Sequence, residues 1–130
     1  MKAVRGEEIF LITENKIVKL DQITKIIKDN NVNIRAINAY SDGIKAYFRL
    51  LTSNNTTTKE ILKKFGTVES KDVIIVDMPD EIGQLHILAS KLKEANVDIT
   101  YMYGTAATPK GSAIVVFSSG DNNKALEALS

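Results

Sequence analysis

Apolar residues recur at helical spacing twice along the chain, as Leu20, Ile23 and Ile27 and again as Leu85, Leu88, Leu92 and Ala95, which predicts two amphipathic helices with one buried stripe each. A β-rich run precedes each helix, EIFLIT at 8–13 and DVIIVD at 72–77. Each helix is expected to stop at an asparagine, Asn30-Asn31 or Asn96, because asparagine tolerates the left-handed conformation that ends a helix. Period-two alternation follows, predicting strands through Val32, Ile34 and Ala36 and through Val97, Ile99, Tyr101 and Tyr103. Turn signals at 41–43 (SDG) and 108–111 (TPKG) lead into third strands, KAYFRLL at 45–51 and SAIVVF at 112–117. Second helices are predicted over 58–65 (TKEILKKF) and 123–129 (NKALEAL), with Gly66 as a cap and a strand around TVES running on towards the second half.

The two halves are one pattern written twice. Ile17–Ile34 aligns with Ile82–Ile99 without a gap at an offset of 65 (82 − 17 = 65), and six of the eighteen pairs are identical: Ile17/Ile82, Leu20/Leu85, Lys28/Lys93, Asn31/Asn96, Val32/Val97 and Ile34/Ile99. About one match would arise by chance at ordinary residue frequencies. The order of elements is βαββαβ, the ferredoxin-like plan, so the expected fold is α+β, with two such repeats and antiparallel sheets. The expected boundaries are 1–70 and 71–130. The second repeat lacks its last strand, and an open sheet edge is a liability. The stretch MKAVRG at the N-terminus, a partner chain, or residues beyond this sequence would have to cover it.

Composition removes several classes of function. The 130 residues are 44% hydrophobic and 25% charged, and 17 basic against 16 acidic residues leave a formal net charge of +1. No block of one sign occurs, so the basic footprint of a nucleic-acid binder is missing. Tyr47 and Phe48 point to opposite faces of their strand, leaving at most one aromatic there to stack a base. With no cysteine, disulfides, zinc–thiolate sites and thiol redox chemistry are excluded, and no metal or cofactor is expected. The apolar run Ile9–Ile12 is too short for a membrane span or a secretory leader, which makes the cytoplasm the expected location. The single histidine, His86, lacks the second group a triad or metal site requires. The acids Asp77, Asp80 and Glu81 precede a helix, whose dipole stabilises them there. No enzymatic activity is expected.

The stretch DMPDEIGQL at 77–85 leads from a buried strand into a helix N-terminus, where unpaired N–H groups and the dipole favour a carboxylate or phosphate. Gly83 either lets a ligand approach the backbone, or relieves a tight turn or lets the helix pack closely on the sheet; the residues alone leave these open. The first repeat has Val18 at that place.

Residues 76–103, VDMPDEIGQLHILASKLKEANVDITYMY, resemble an ACT domain, whose pattern is an acidic loop with proline and glycine, a leucine-striped helix and a strand opening like Asn96-Val97-Asp98-Ile99. Asn31-Val32-Asn33-Ile34 repeats that opening, and nearly the whole chain is similar to free-standing tandem ACT proteins. The resemblance implies a non-enzymatic regulatory module that binds a small ligand, an amino acid above all, at an interface between ACT units, in a homodimer. On this basis the helix N-terminus around Ile82–Leu85 would hold a carboxylate, Asn96, Asp98 or strand carbonyls an ammonium, and Ile82, Leu85 and Met102 an apolar side chain. With Asp80, Glu81, Gly83 and Gln84, these make up the expected site. The first repeat departs from the pattern, with Ile17 and Val18 where proline and glycine belong, so its loop (Asn15, Lys16, Ile17, Val18), together with Asn31 and Asn33, is expected to be a degenerate site or an opposite wall. The second repeat departs as well, at Ile82. The competing expectation is a ligand-free interaction module, a regulatory subunit docking on an amino-acid biosynthetic enzyme.

Overall fold

The computed structural model describes residues 1–106 and 111–130, and the turn expected at 108–111 lies outside them except for Gly111. The element order is β1 (Lys2–Glu14), α1 (Lys19–Asp29), β2 (Ile34–Ser41), β3 (Lys45–Thr52), α2 (Asn55–Leu62) with a 3₁₀ turn (Lys63–Phe65), β4 (Thr67–Pro79), α3 (Gln84–Glu94), β5 (Ile99–Ala106), β6 (Ser112–Ser119) and α4 (Asn122–Ala128). The offset of 65 holds element by element through β5 (67 − 2, 84 − 19 and 99 − 34 all give 65) and becomes 67 from β3 and β6 onward (112 − 45 = 67).

Two compact units result: Glu7–Lys71, and Met1–Gly6 with Asp72–Ser130. The expected strands at 8–13 and 72–77 are each the second part of a 13-residue strand. In the first unit the strand order is β2-β3-β1-β4, and the beginning of β4, Thr67–Lys71, supplies the fourth strand. In the second unit the order is β5-β6-β4-β1, and the fourth place, for which the second repeat has no strand of its own, is taken by the beginning of β1. MKAVRG is therefore the cover for that edge, and the first six residues belong with the second repeat rather than the first.

Each unit buries one sheet face under two helices. In the first, Ile9 and Leu11 of β1, Ala46, Phe48 and Leu50 of β3, Ile23 and Ile27 of α1 and Leu62 of α2 form the core. In the second, Ile74, Val76 and Met78 meet Val115, Phe117, Leu88, Leu92, Ala125 and Leu129. Ala3 packs against this second core and so ties the borrowed strand to it. Arg5 adds a clasp: its guanidinium donates to both oxygens of Asp72 (2.8 and 2.6 Å) and to Asn123 Oδ1.

Local chemistry sets the element ends. Asn31 and Asn96 both adopt φ 58° and close α1 and α3 identically. Val32 N–H bonds to the Ile27 carbonyl (3.2 Å) and Asn31 N–H to that of Lys28 (2.9 Å), as Val97 bonds to Leu92 (3.0 Å) and Asn96 to Lys93 (3.0 Å). This is the Schellman pattern, with the valine and the leucine or isoleucine supplying its apolar contact. Gly66 ends the 3₁₀ turn as expected, and a Cβ there would run into the Ile12 carbonyl oxygen.

Two expectations about faces are corrected. A bulge lies between Ile99 and Tyr101, and its twin between Ile34 and Ala36. The extra residue reverses the alternation, so Met102, and not Tyr101 or Tyr103, joins Val97 and Ile99 against the core. Leu20 and Leu85 also leave their predicted buried stripes: each stands about half exposed at the first turn of its helix.

Candidate functional site

The β4–α3 junction builds a cleft of about 320 Å³ at one end of the second unit. Pro79, Asp80 and Glu81 form its rim, Gln84 and Leu85 of α3 one wall, and Gly104, Thr105 and Ala106 of β5 the other. Ala113, Ile114 and Val115 of β6 complete the lining. The loop is fastened at its start by Asp80 N–H on the Gly111 carbonyl (2.8 Å).

The mouth of α3 differs from that of α4. The side chain of Asp121 accepts from Lys124 N–H to cap α4, and Asn54 caps α2 in the same way through Thr57 N–H. At α3 the capping position is Gly83, with φ 86°, no side-chain cap and no acid in the first turn. The positive end of α3 thus opens beside the cleft without a side-chain cap, its Gln84 N–H turned to the Glu81 carbonyl at 3.4 Å, while the exposed carboxylates of Asp80 and Glu81 stand on the rim.

The first repeat has a cleft at the same place, about 250 Å³, lined by Asn15, Lys16, Ile17 and Leu20 on one side and Ala39, Tyr40, Ala46 and Phe48 on the other. Ala39 corresponds to Gly104 (104 − 39 = 65) and Phe48 to Val115 (115 − 48 = 67). The larger residues narrow the first cleft relative to the second. Val18 before α1 is right-handed, φ −73°.

Of the expected ligand residues, the structure brings together Asp80, Glu81, Gln84 and Leu85 around the cleft. Gly83 shapes the loop, and Ile82 points fully into solvent. Asn96 and Asp98 lie beyond the far end of the 11-residue α3, about 16 Å of helix from its mouth, and Met102 packs on the core. Asn96 is occupied as a helix cap, and the Asp98 carbonyl takes the Gly120 N–H at 2.9 Å. The counterparts Asn31 and Asn33 are placed alike: Asn31 caps α1, and the Asn33 carbonyl takes the Ser53 N–H at 2.9 Å. Asn15, Lys16 and Ile17 do gather at the first cleft. The Ala106, Ala113 and Thr105 positions were not singled out from sequence; small residues on a strand give no signal until the opposing loop is in place.

His86 is exposed on α3, 3.5 Å from Ser90 Oγ. Among the described residues no group of three histidines, cysteines or carboxylates could hold a metal ion, and no helix is long and apolar enough to cross a membrane.

A second cluster went unread in the sequence. On the sheet face of the first unit away from its helices, Tyr40 stacks on Tyr47 (centroids 5.0 Å apart), which neighbours Phe10 (6.1 Å). Arg49 lies over Phe10 at 4.1 Å and pairs with the buried Glu8 at 2.9 Å. Inspection of the third strand alone predicted one aromatic on this face; the register Tyr40↔Tyr47 and Ile12↔Tyr47 brings three together. The corresponding places in the second repeat, Val73, Ile75, Thr105, Ile114 and Val116, carry no aromatic and no charge.

Two ferredoxin-like units, each with a cleft at the mouth of its first helix, define a tandem α+β domain pair. A family profile described as an ACT domain pair matches residues 4–129, and the chain belongs to that family. No curated protein matches the sequence. Among solved structures, a protein of Bacteroides thetaiotaomicron is 26% identical, with a TM-score of 0.87 over 98% of this chain and 88% of that one. The ligand-free regulatory subunit of aspartate kinase from Thermus thermophilus, 12% identical, superposes with a TM-score of 0.67 over 98% and 93% of the two chains. An aspartokinase alpha and beta subunit structure gives 0.66 at 15% identity over 99% and 95%. At these identities the kinase likenesses concern the fold.

Proposed function

We propose that this chain is a regulatory module without catalytic activity of its own, and that it binds a free amino acid in the second-repeat cleft. The observation that carries the reading is the juxtaposition at that cleft of an uncapped helix N-terminus and two exposed carboxylates, Asp80 and Glu81. A zwitterion matches both: its carboxylate meets the N–H groups that open α3, and its ammonium meets the acids. Leu85, Ala113 and Val115 offer an apolar surface to its side chain. A simple anion would find the helix end favourable and the acids repulsive, so the pair selects for both charges in one ligand. The fold shared with aspartate kinase regulatory subunits is consistent with a role in amino-acid metabolism.

A thermal-unfolding screen against the twenty amino acids tests this. A ligand at a hundred times its Kd adds about 2.7 kcal/mol of apparent stability. Gly104→Ala combined with Val115→Phe gives the second cleft the residues of the first and should abolish the shift while the protein still unfolds cooperatively. If no amino acid shifts the wild type, the ligand-free docking role takes precedence.

A further inference from the structure

On the helical side of the first unit, a groove of about 270 Å³ opens between α1 and the 3₁₀ turn that follows α2. Gln22, Lys25, Ile26 and Asp29, at the spacing of one helix face, line one side, and Lys64 and Phe65 the other. Its floor is apolar: Ile26 and Phe65 are half-buried and pack against the first core.

The rim is cationic. The ammonium groups of Lys19 and Lys64 gather around the Phe65 ring, 5.6 and 5.4 Å from its centroid. Neighbouring lysines have carboxylate partners: Lys25 and Lys28 share Asp29, at 2.7 and 3.5 Å, and Lys63 meets Glu60 at 2.9 Å. Lys19 and Lys64 have none among the described residues. An exposed cation is held only weakly by a ring, and two like charges at one ring repel. A carboxylate set between them would attract both. The one acid of the lining, Asp29, already holds Lys25.

The fold itself does not need this arrangement, because the second repeat does without it. There α3 carries Gln84, Ile87, Ser90, Lys91 and Glu94 in the places of Lys19, Gln22, Lys25, Ile26 and Asp29. An apolar floor rimmed by charge marks an association surface. The volume is below that of pockets that enclose a small ligand and suits one side chain of a larger partner. A nucleic acid is the poorer match, since Asp21, Asp29 and Glu60 stand among the lysines and oppose a polyanion.

We infer that this groove docks an acidic segment of a protein partner, an apolar side chain seated on Ile26 and Phe65 and flanking carboxylates meeting Lys19 and Lys64. The surface lies within the first unit and is independent of the amino-acid reading of the second cleft.

The test titrates the blocked peptide EELFEE into the isotope-labelled full chain and follows amide NMR shifts. The shifts should concentrate on residues 19–29 and 64–65, and binding should weaken in high salt. Lys19→Glu with Lys64→Glu should bind at least tenfold more weakly while its thermal unfolding stays that of the wild type. Lys91→Glu with Lys93→Glu, the same change of net charge away from the groove, should bind as the wild type does. The peptide EEGGEE, which has the charges without the apolar pair, should also lose at least tenfold. No shifts at millimolar EELFEE, equal binding of EEGGEE, or equal loss in the two double variants overturns the docking site. Tighter binding of oligouridylate than of EELFEE at the same residues also overturns it, in favour of nucleic acid. A failed amino-acid screen would leave it standing.

Discussion

Val18 and Gly83 hold the same place in the two repeats, each immediately before a helix, and their backbones turn in opposite senses: φ is −73° at the valine and +86° at the glycine. A Cβ built on Gly83 meets nothing within 4 Å. The left-handed turn of the loop therefore calls for a glycine here, and packing against the rest of the chain does not.

Gly83→Val should cost about 1–2 kcal/mol or somewhat more, because a left-handed backbone is strained for any residue with a Cβ and most for a β-branched one. Gly83→Asn should cost much less. Val18→Gly, at a position already right-handed, should stay within about 1 kcal/mol. Urea denaturation of the three variants gives the order.

Leu88→Ala should destabilise the protein by about 2–5 kcal/mol, since Leu88 is wholly buried in the second core. Leu85→Ala, three residues earlier on the same predicted stripe, should cost under about 1 kcal/mol and should instead weaken any ligand-induced stabilisation. Equal losses from the two would return Leu85 to the core.

Arg49→Met leaves the Glu8 carboxylate, wholly buried, without its 2.9 Å guanidinium partner. The expected loss is about 3–5 kcal/mol. Adding Glu8→Gln to that variant removes the buried charge and should recover part of it, a double-mutant cycle measurable by chemical denaturation.

The clasp between Arg5 and Asp72 predicts a pH dependence. The Arg5 hydrogen bond first, and that of Asn122 after it, hold the Asp72 carboxyl below the ordinary aspartate range. A depressed folded pKa means that the unfolded chain binds the proton more readily. The stabilisation is therefore complete above the unfolded value, about 3.9, and is lost as pH falls from there through the lower folded value. Stability curves of wild type and Asp72→Asn should differ at neutral pH and converge in acid. Both side chains are nearly half exposed, so the difference should shrink in high salt.

The repeat, its register and its helix ends were legible because they depend on short-range chemistry. Asn31 and Asn96 announced their left-handed caps, and the offset of 65 fixed the element order before any contact was known. The faces of β2 and β5 were not legible: a bulge adds one residue between Ile34 and Ala36, or Ile99 and Tyr101, and nothing in those residue types marks it. Leu20 and Leu85 misled for a related reason, since a helical stripe says which face is apolar and not where the sheet beneath it ends. Asn96 and Asp98 were placed in the site by resemblance, and only the length of α3 separates them from the loop. The Phe10–Tyr40–Tyr47 stack needed the pairing of three strands distant in sequence.

The borrowed strand has a consequence for the chain's order. Read around from Glu7 to Ser130 and then on to Met1–Gly6, the elements spell two complete ferredoxin-like repeats in succession. The opening residues Met1–Gly6 thus stand where a plain duplication would place the fourth strand of its second repeat. A scission between Lys71 and Asp72 would leave the first unit whole, with six residues that its own sheet does not use, and would take the border strand from the second. A permuted chain starting at Glu7, with Met1–Gly6 joined behind Ser130, would put each repeat back in a single stretch of sequence.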